Sequence, residues 1–165
     1  MTVHLRTREF RHAESVLNAK YRTKKEIVRV LDSLELDIPR DGTRTESCGP
    51  HRQIQRAFQH CGWEAEVLVS PRTERRQYFD LYKDRVAIEI EFSSHERLYR
   101  DYLRFQLAEA DNRIDVGVIV MLDDDARFIH PCGLRDGLPR VDDAVDDLHA
   151  LHDCVAVPIW LVGVS

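Results

Sequence analysis

Glu89 and Glu91 stand one residue apart inside the otherwise apolar run Val86 to Phe92, and Asp80 precedes Glu89 with eight residues between them. Alternate side chains of an extended strand point to opposite faces. Val86, Ile88, Ile90 and Phe92 therefore share one face, and Ala87, Glu89 and Glu91 share the other. If residues 77–82 and 85–92 pair as a hairpin around Lys83-Asp84, Asp80 comes to lie beside Glu89. Three carboxylates on one patch repel each other, and a divalent cation resolves the conflict. Hard oxygen donors suit Mg²⁺, with Mn²⁺ as a substitute; Mg²⁺ keeps several waters and takes oxygens from a substrate phosphate. The competing reading is a one-sided antiparallel strand whose solvent face carries acids, and the alternation alone favours it. Two glutamates in a strand of this kind are nevertheless unusual.

The flanking sequence supplies the elements that would hold this hairpin. Val16, Leu17, Ile27, Val30, Leu31 and Leu34 recur with helical spacing between His12 and Leu36, with a break near Tyr21. Pro39-Arg40-Asp41-Gly42 reads as a turn. Ile54, Ala57, Phe58 and Cys61 mark a helix after Pro50 that Gly62 ends. Glu66 to Val69 reads as a strand ahead of the hairpin, and a helix spans about His95 to Glu109. Ile114 to Leu122 suits a central strand, Val141 to Leu151 a helix, and Val155 to Val164 a last strand, with Pro158 pointing to an edge or a bulge. The order α-α-β-β-β-α-β-α-β predicts an α/β domain in which helices flank a mixed central β-sheet.

With 165 residues, 43% hydrophobic and 32% charged, the sequence reads as one ordinary globular domain over residues 1–165. No apolar run reaches membrane-spanning length, and the first residues lack the apolar stretch of a signal peptide, so a cytoplasmic location is expected. Cys48, Cys61, Cys132 and Cys154 form no C-x-x-C pair and read as free thiols. The net charge of −5 argues at first against a nucleic-acid partner. The excess acid, however, is gathered in residues 111–165, which carry 4 basic and 11 acidic side chains. Residues 1–110 carry 20 basic and 18 acidic ones, a mildly basic balance.

Several blocks in order along the chain resemble restriction endonucleases of the BglII/BamHI type, a branch of the PD-(D/E)XK nuclease superfamily. They are Phe10 to Asn18, Gly62-Trp63-Glu64-Ala65-Glu66, Asp80 with Glu89-Ile90-Glu91-Phe92-Ser93, Ile114 to Val120, and Val157 to Gly163. The resemblance implies a restriction-endonuclease-like core and a Mg²⁺-dependent type II enzyme that hydrolyses phosphodiester bonds of double-stranded DNA as a homodimer. It makes Asp80 and Glu89 the main metal ligands and the Ile90 carbonyl a third. Glu91 stands where the superfamily most often has Lys; a Glu there resembles the BamHI branch and a Gln the BglII branch, and Glu91 would orient or deprotonate the attacking water. Glu66 falls where such enzymes keep a further acid. Relatives continue past the last of these blocks, whereas this sequence stops at Ser165, which implies a smaller DNA-gripping region. A weakly specific or partner-dependent nuclease, and a catalytically silent DNA-binding or protein-interaction domain, are the other two readings.

DNA contacts are expected from Ser93 and Ser94 beyond the hairpin, from Arg72, Arg75 and Arg76 in the loop before it, and from Arg97. Each has a plain structural alternative: a helix cap for the serines and solvated faces for the arginines. Arg97, Arg100 and Arg104, spaced i, i+3 and i+7, form either a phosphate-facing stripe, part of a dimer interface or a solvated face. His149, His152 and the acids Asp142, Asp143, Asp146 and Asp147 read as a solvated helix surface, and Asp123-Asp124-Asp125 as a loop.

Overall fold

A computed structural model describes residues 3–36, 49–123 and 138–165. The predicted turn at Pro39–Gly42, Asp124 and Asp125, and Cys48 and Cys132 lie outside them. Among the described residues the chain runs β1 (Leu5–Phe10), α1 (Ala13–Ala19), α2 (Tyr21–Asp32), α3 (Gly49–His60), β2 (Glu64–Leu68), β3 (Tyr78–Lys83), β4 (Val86–Glu91), α4 (His95–Ala110), β5 (Val116–Leu122), α5 (Val141–Ala150) and β6 (Ile159–Val164). The strands form one six-stranded sheet in the order β1-β6-β5-β4-β3-β2. β4, β5 and β6 are parallel, while β1, β3 and β2 join antiparallel at the two sides, so the sheet is mixed as predicted.

Two apolar cores sandwich the sheet. On one side Leu17, Ile27, Leu31, Ile54 and Phe58 of α1–α3 pack on Leu81, Val86, Ile88, Val118 and Trp160. On the other, Leu98, Tyr102, Phe105, Ala144 and Leu148 of α4 and α5 pack on Phe79, Ala87, Ile119, Met121 and Leu161. Gly117 lets α4 approach closely. A Cβ there would stand 2.5 Å from the Phe105 ring, so a larger residue would lift α4 off β5.

The structure corrects three expectations and bears out a fourth. Leu5–Phe10 forms a strand that the sequence reading did not predict, because its alternation Leu-Arg-Thr-Arg-Glu-Phe buries little besides Phe10. The break at Tyr21 is real: Lys20 leaves helical geometry with φ −107°, ψ 46°, separating α1 from α2. Pro158 is neither at an edge nor in a bulge. β6 lies between β1 and β5, and Pro158 precedes its first residue, where the missing N–H costs no ladder bond and the carbonyl accepts from the Gly117 N–H at 2.9 Å. Finally, the hairpin turns at Asp84-Arg85, one residue later than expected.

That turn matters for the site because it sets the β3–β4 register. Asp84 and Arg85 both have positive φ, 51° and 63°, as a two-residue primed turn requires, although neither is the favoured glycine. Their neighbours offset the strain. Thr23 Oγ1 donates to Asp84 Oδ2 at 3.0 Å and Lys20 Nζ to the Asp84 carbonyl at 2.9 Å. Arg85 donates to Asp115 Oδ1 at 2.8 and 2.9 Å and to the Asn112 carbonyl at 2.6 Å.

Candidate active site

β4 carries the acids into the protein. Its neighbours β3 and β5 cover both edges, and all six of its residues are buried. The half-exposed hairpin with a solvated acidic face is therefore not what forms. Ile88 and Ile90 enter the α1–α3 core, whereas Glu89 and Glu91, only 2% and 4% exposed, turn to the face covered by α4.

β3 brings Asp80 beside them. Alternation breaks on β3: Phe79 joins the α4–α5 core and Leu81, two residues on, joins the α1–α3 core. Asp80 sits at this twist, where its carboxylate accepts from the Ile90 N–H at 2.8 Å and lies 3.0 Å from His51 Nε2. Its own carbonyl accepts from Gln55 Nε2 at 3.2 Å, so α3 holds the residue twice. Glu89 lies alongside on β4, where the β3–β4 register sets it next to Asp80. Burial would raise the Asp80 pKa, but the hydrogen bond and charge of His51, together with Ile90 and Glu89, hold it below the usual carboxylate range. His51 shows the complementary effect: burial opposes its charge, yet Asp80 and Glu91 raise its pKa above the ordinary value.

Glu89 shifts the other way. Burial first, then the nearby Asp101 and Asp80 charges, push its carboxyl well above the ordinary value, and Arg104 only partly opposes them. Asp101 of α4, 3% exposed, is pushed up to about 7 by burial and by Glu91, again against Arg104. Arg104 Nη1 lies 3.1 Å from both Glu89 Oε1 and Asp101 Oδ1. Glu91 is fixed differently. Its Oε1 accepts from the Ser93 N–H at 2.6 Å, the Ser93 hydroxyl at 2.5 Å and the Ser94 N–H at 3.1 Å, at the start of α4. All three bonds end on one oxygen.

The other expected residues lie around this cluster. Glu66 is exposed on β2 with φ 54°, between the pairs Ala65↔Leu81 and Val67↔Phe79 and so opposite Asp80. Among the described residues, no hydrogen bond or ion pair ties it to the acids. Ser94 caps α4 by accepting from the Arg97 N–H at 3.3 Å, and Arg97 and Arg100 are exposed. Arg72 pairs with Asp111 at 2.7 Å, while Arg75 and Arg76 are exposed in the β2–β3 loop. Arg104 departs from its expected stripe by turning inward. His149 and His152 lie at the surface, as expected.

The sequence profile of the restriction endonuclease BglII/BglIII family matches residues 5–164. The chain belongs to that family. It is a type II restriction endonuclease of the PD-(D/E)XK fold, an enzyme that binds DNA and hydrolyses its phosphodiester bonds. Among solved structures, restriction endonuclease BglII complexed with a DNA 16-mer superposes with a TM-score of 0.81 at 19% identity, covering 97% of this chain and 75% of that one. No curated protein sequence matches the chain.

A BglII-type endonuclease uses a divalent metal ion, and the donor set here fits one chemically. Asp80 and Glu89 bring two carboxyl groups into each other's electrostatic reach, hard oxygen donors of the kind Mg²⁺ takes. Among the described residues, however, no three His, Cys, Asp or Glu side chains stand together as a ready ligand set. Arg104 donates to one of the Glu89 oxygens instead.

The sequence reading missed three members of this endonuclease site: His51, Asp101 and the inward Arg104. Asp101 had a signal. It falls within the apolar arc Leu98, Tyr102, Phe105 and Ala108 of α4, where an acid has no place without a partner. His51 had none, because its nearness to Asp80 depends on how α3 packs.

Proposed function

We propose that this endonuclease cleaves double-stranded DNA with Mg²⁺ held by Asp80, Glu89 and the Ile90 carbonyl, and that Glu91 positions the attacking water. The convergence of Asp80 and Glu89 supports this reading: the β3–β4 register carries the two acids alongside each other on adjacent strands, and the Ile90 N–H donates to the Asp80 carboxylate at 2.8 Å. A bound divalent cation would polarise the scissile phosphate and acidify a water. The protein's own share is orientation and proton handling. Glu91 Oε1 is fixed by the serines, so the carboxylate is held in one orientation from which it would accept a proton of the attacking water. Glu66 is a supporting acid from the β2 side.

The DNA backbone would run past Ser93, Ser94 and Arg97 at the start of α4 and past Arg72, Arg75 and Arg76 of the β2–β3 loop. The endonuclease would act as a homodimer through α4, where Tyr99, Leu103 and Leu107 leave an exposed apolar stripe (43%, 64% and 37%) spaced one helical turn apart. No helix among the described residues is long and apolar enough to cross a membrane, in keeping with one cytoplasmic domain.

Plasmid and phage DNA incubated with Mg²⁺ or with EDTA test the whole reading. Discrete fragments that require Mg²⁺ and vanish in Glu89→Ala are expected. A smear would point to a weakly specific nuclease, and tight binding without cutting in Mg²⁺ or Mn²⁺ would sink the metal assignment. Leu103→Asp should convert a dimer to a monomer in light scattering.

A further inference from the structure

We infer that Arg104 is the internal counter-ion of the acidic site, that a divalent cation enters by displacing its guanidinium from Glu89, and that the freed guanidinium then binds the scissile phosphate. The inference rests on Asp80 and Glu89 being the metal ligands.

Arg104 Nη1 divides itself between Glu89 Oε1 and Asp101 Oδ1, each at 3.1 Å, and its Nε donates to Gln77 Oε1 at 3.3 Å. The side chain is only 15% exposed, so these contacts are poorly screened. A guanidinium and a divalent cation cannot both occupy the same side of Glu89. They compete for Oε1, and two positive centres a few ångströms apart repel strongly where water is scarce. The arrangement also explains why Asp101 is buried there. It touches neither Asp80 nor the serines, yet it grips the guanidinium one helical turn along α4. It would keep Arg104 tethered at the site when Glu89 lets go.

The sequence gives the released side chain a task. Glu91 stands where related nucleases most often carry Lys, so the position contributes no positive charge to the phosphate. Arg104 reaches the same carboxylate cluster from α4, with a permanently charged planar fork suited to phosphate oxygens. Its bond to Gln77 already points toward the end of the loop that carries Arg75 and Arg76.

Mn²⁺ binding without DNA, read by electron paramagnetic resonance at pH 8.5, separates the possibilities. Arg104→Gln should bind Mn²⁺ ~10-fold more tightly than the wild type, equivalent to ~1.4 kcal/mol. Arg104→Lys should match the wild type, and Glu89→Gln should lose binding. At saturating Mn²⁺, Arg104→Gln should still cut DNA ~100-fold more slowly, with Arg104→Lys between the two. A merely structural arginine would not give tighter metal binding together with slower cleavage. Should Arg104→Gln fail to fold, the wild type serves: Mg²⁺ should shift the Arg104 Nε–H resonance with the midpoint of metal binding. Equal Mn²⁺ affinity in wild type and Arg104→Gln, or an Arg104 resonance that Mg²⁺ leaves unmoved, would overturn the role of Arg104 while leaving a Glu89-dependent metal site standing. Mn²⁺ binding that is absent or indifferent to Glu89 would overturn both.

Discussion

The two faces of β4 are built on opposite principles. On the α1–α3 face, Val86, Ile88 and Ile90 join a core whose cluster is wholly apolar. On the α4 face, Glu89, Glu91 and Asp101 are as deeply buried as their apolar neighbours, with Arg104 as the nearest cation. Buried charges of this kind rarely stabilise a fold, because desolvation consumes most of what pairing returns. One face of the strand therefore secures the structure, and the other holds the buried acids proposed for the reaction.

Glu89→Gln breaks the comparison most sharply. It removes a proposed metal ligand and relieves crowding among buried acids. Cleavage should fall ~10³-fold, while the melting temperature without metal stays the same or rises. A variant that melted several degrees lower would mean that Glu89 is structural. The mirror experiment is Ile88→Ala on the other face. It should destabilise the fold by about 2–5 kcal/mol, read by urea unfolding, yet leave the cleavage rate per folded molecule near that of the wild type.

Asp101→Asn gives the smallest effect and refines the comparison through pH. The folded-state pKa of Asp101 is raised to about 7 from an ordinary value of 3.8. For an acid raised in this way, the stabilising contribution is fully present below the unfolded value and is lost as pH rises through the folded one. Without metal, the wild type should therefore lose stability between about pH 4 and pH 7, shifting its melting temperature by roughly 2–4 °C per kcal/mol. Glu89, raised by the same burial, adds to the trend. Asp101→Asn should flatten the pH dependence, and an unchanged slope would show that Asp101 stays ionised in the folded protein.

Much of the site was legible before any coordinates. Period-two alternation placed Glu89 and Glu91 on one face, and hairpin pairing brought Asp80 alongside, even though the turn was set one residue early. The turn at Asp84-Arg85 is what sets this register: Leu81 pairs with Ile88, so Asp80 falls beside Glu89, whereas a turn at Lys83-Asp84 would have placed it opposite Ala87. Strand β1 escaped notice because it is an edge strand with alternating charges, whose pairing with β6 supplies what its side chains do not.

Local pattern determined which acids share a strand face, because that depends on backbone geometry over a few residues, and the ordered blocks carried the resemblance to the family. It could not say that the acidic face is covered, since an exposed and a buried strand face read alike once α4 is out of view. The tertiary structure decided that Glu89 and Asp101 are desolvated, that His51 meets Asp80 from α3, and that Arg104 turns inward. Each is a contact between elements distant in the chain, and their electrostatic consequences follow from burial that only packing creates.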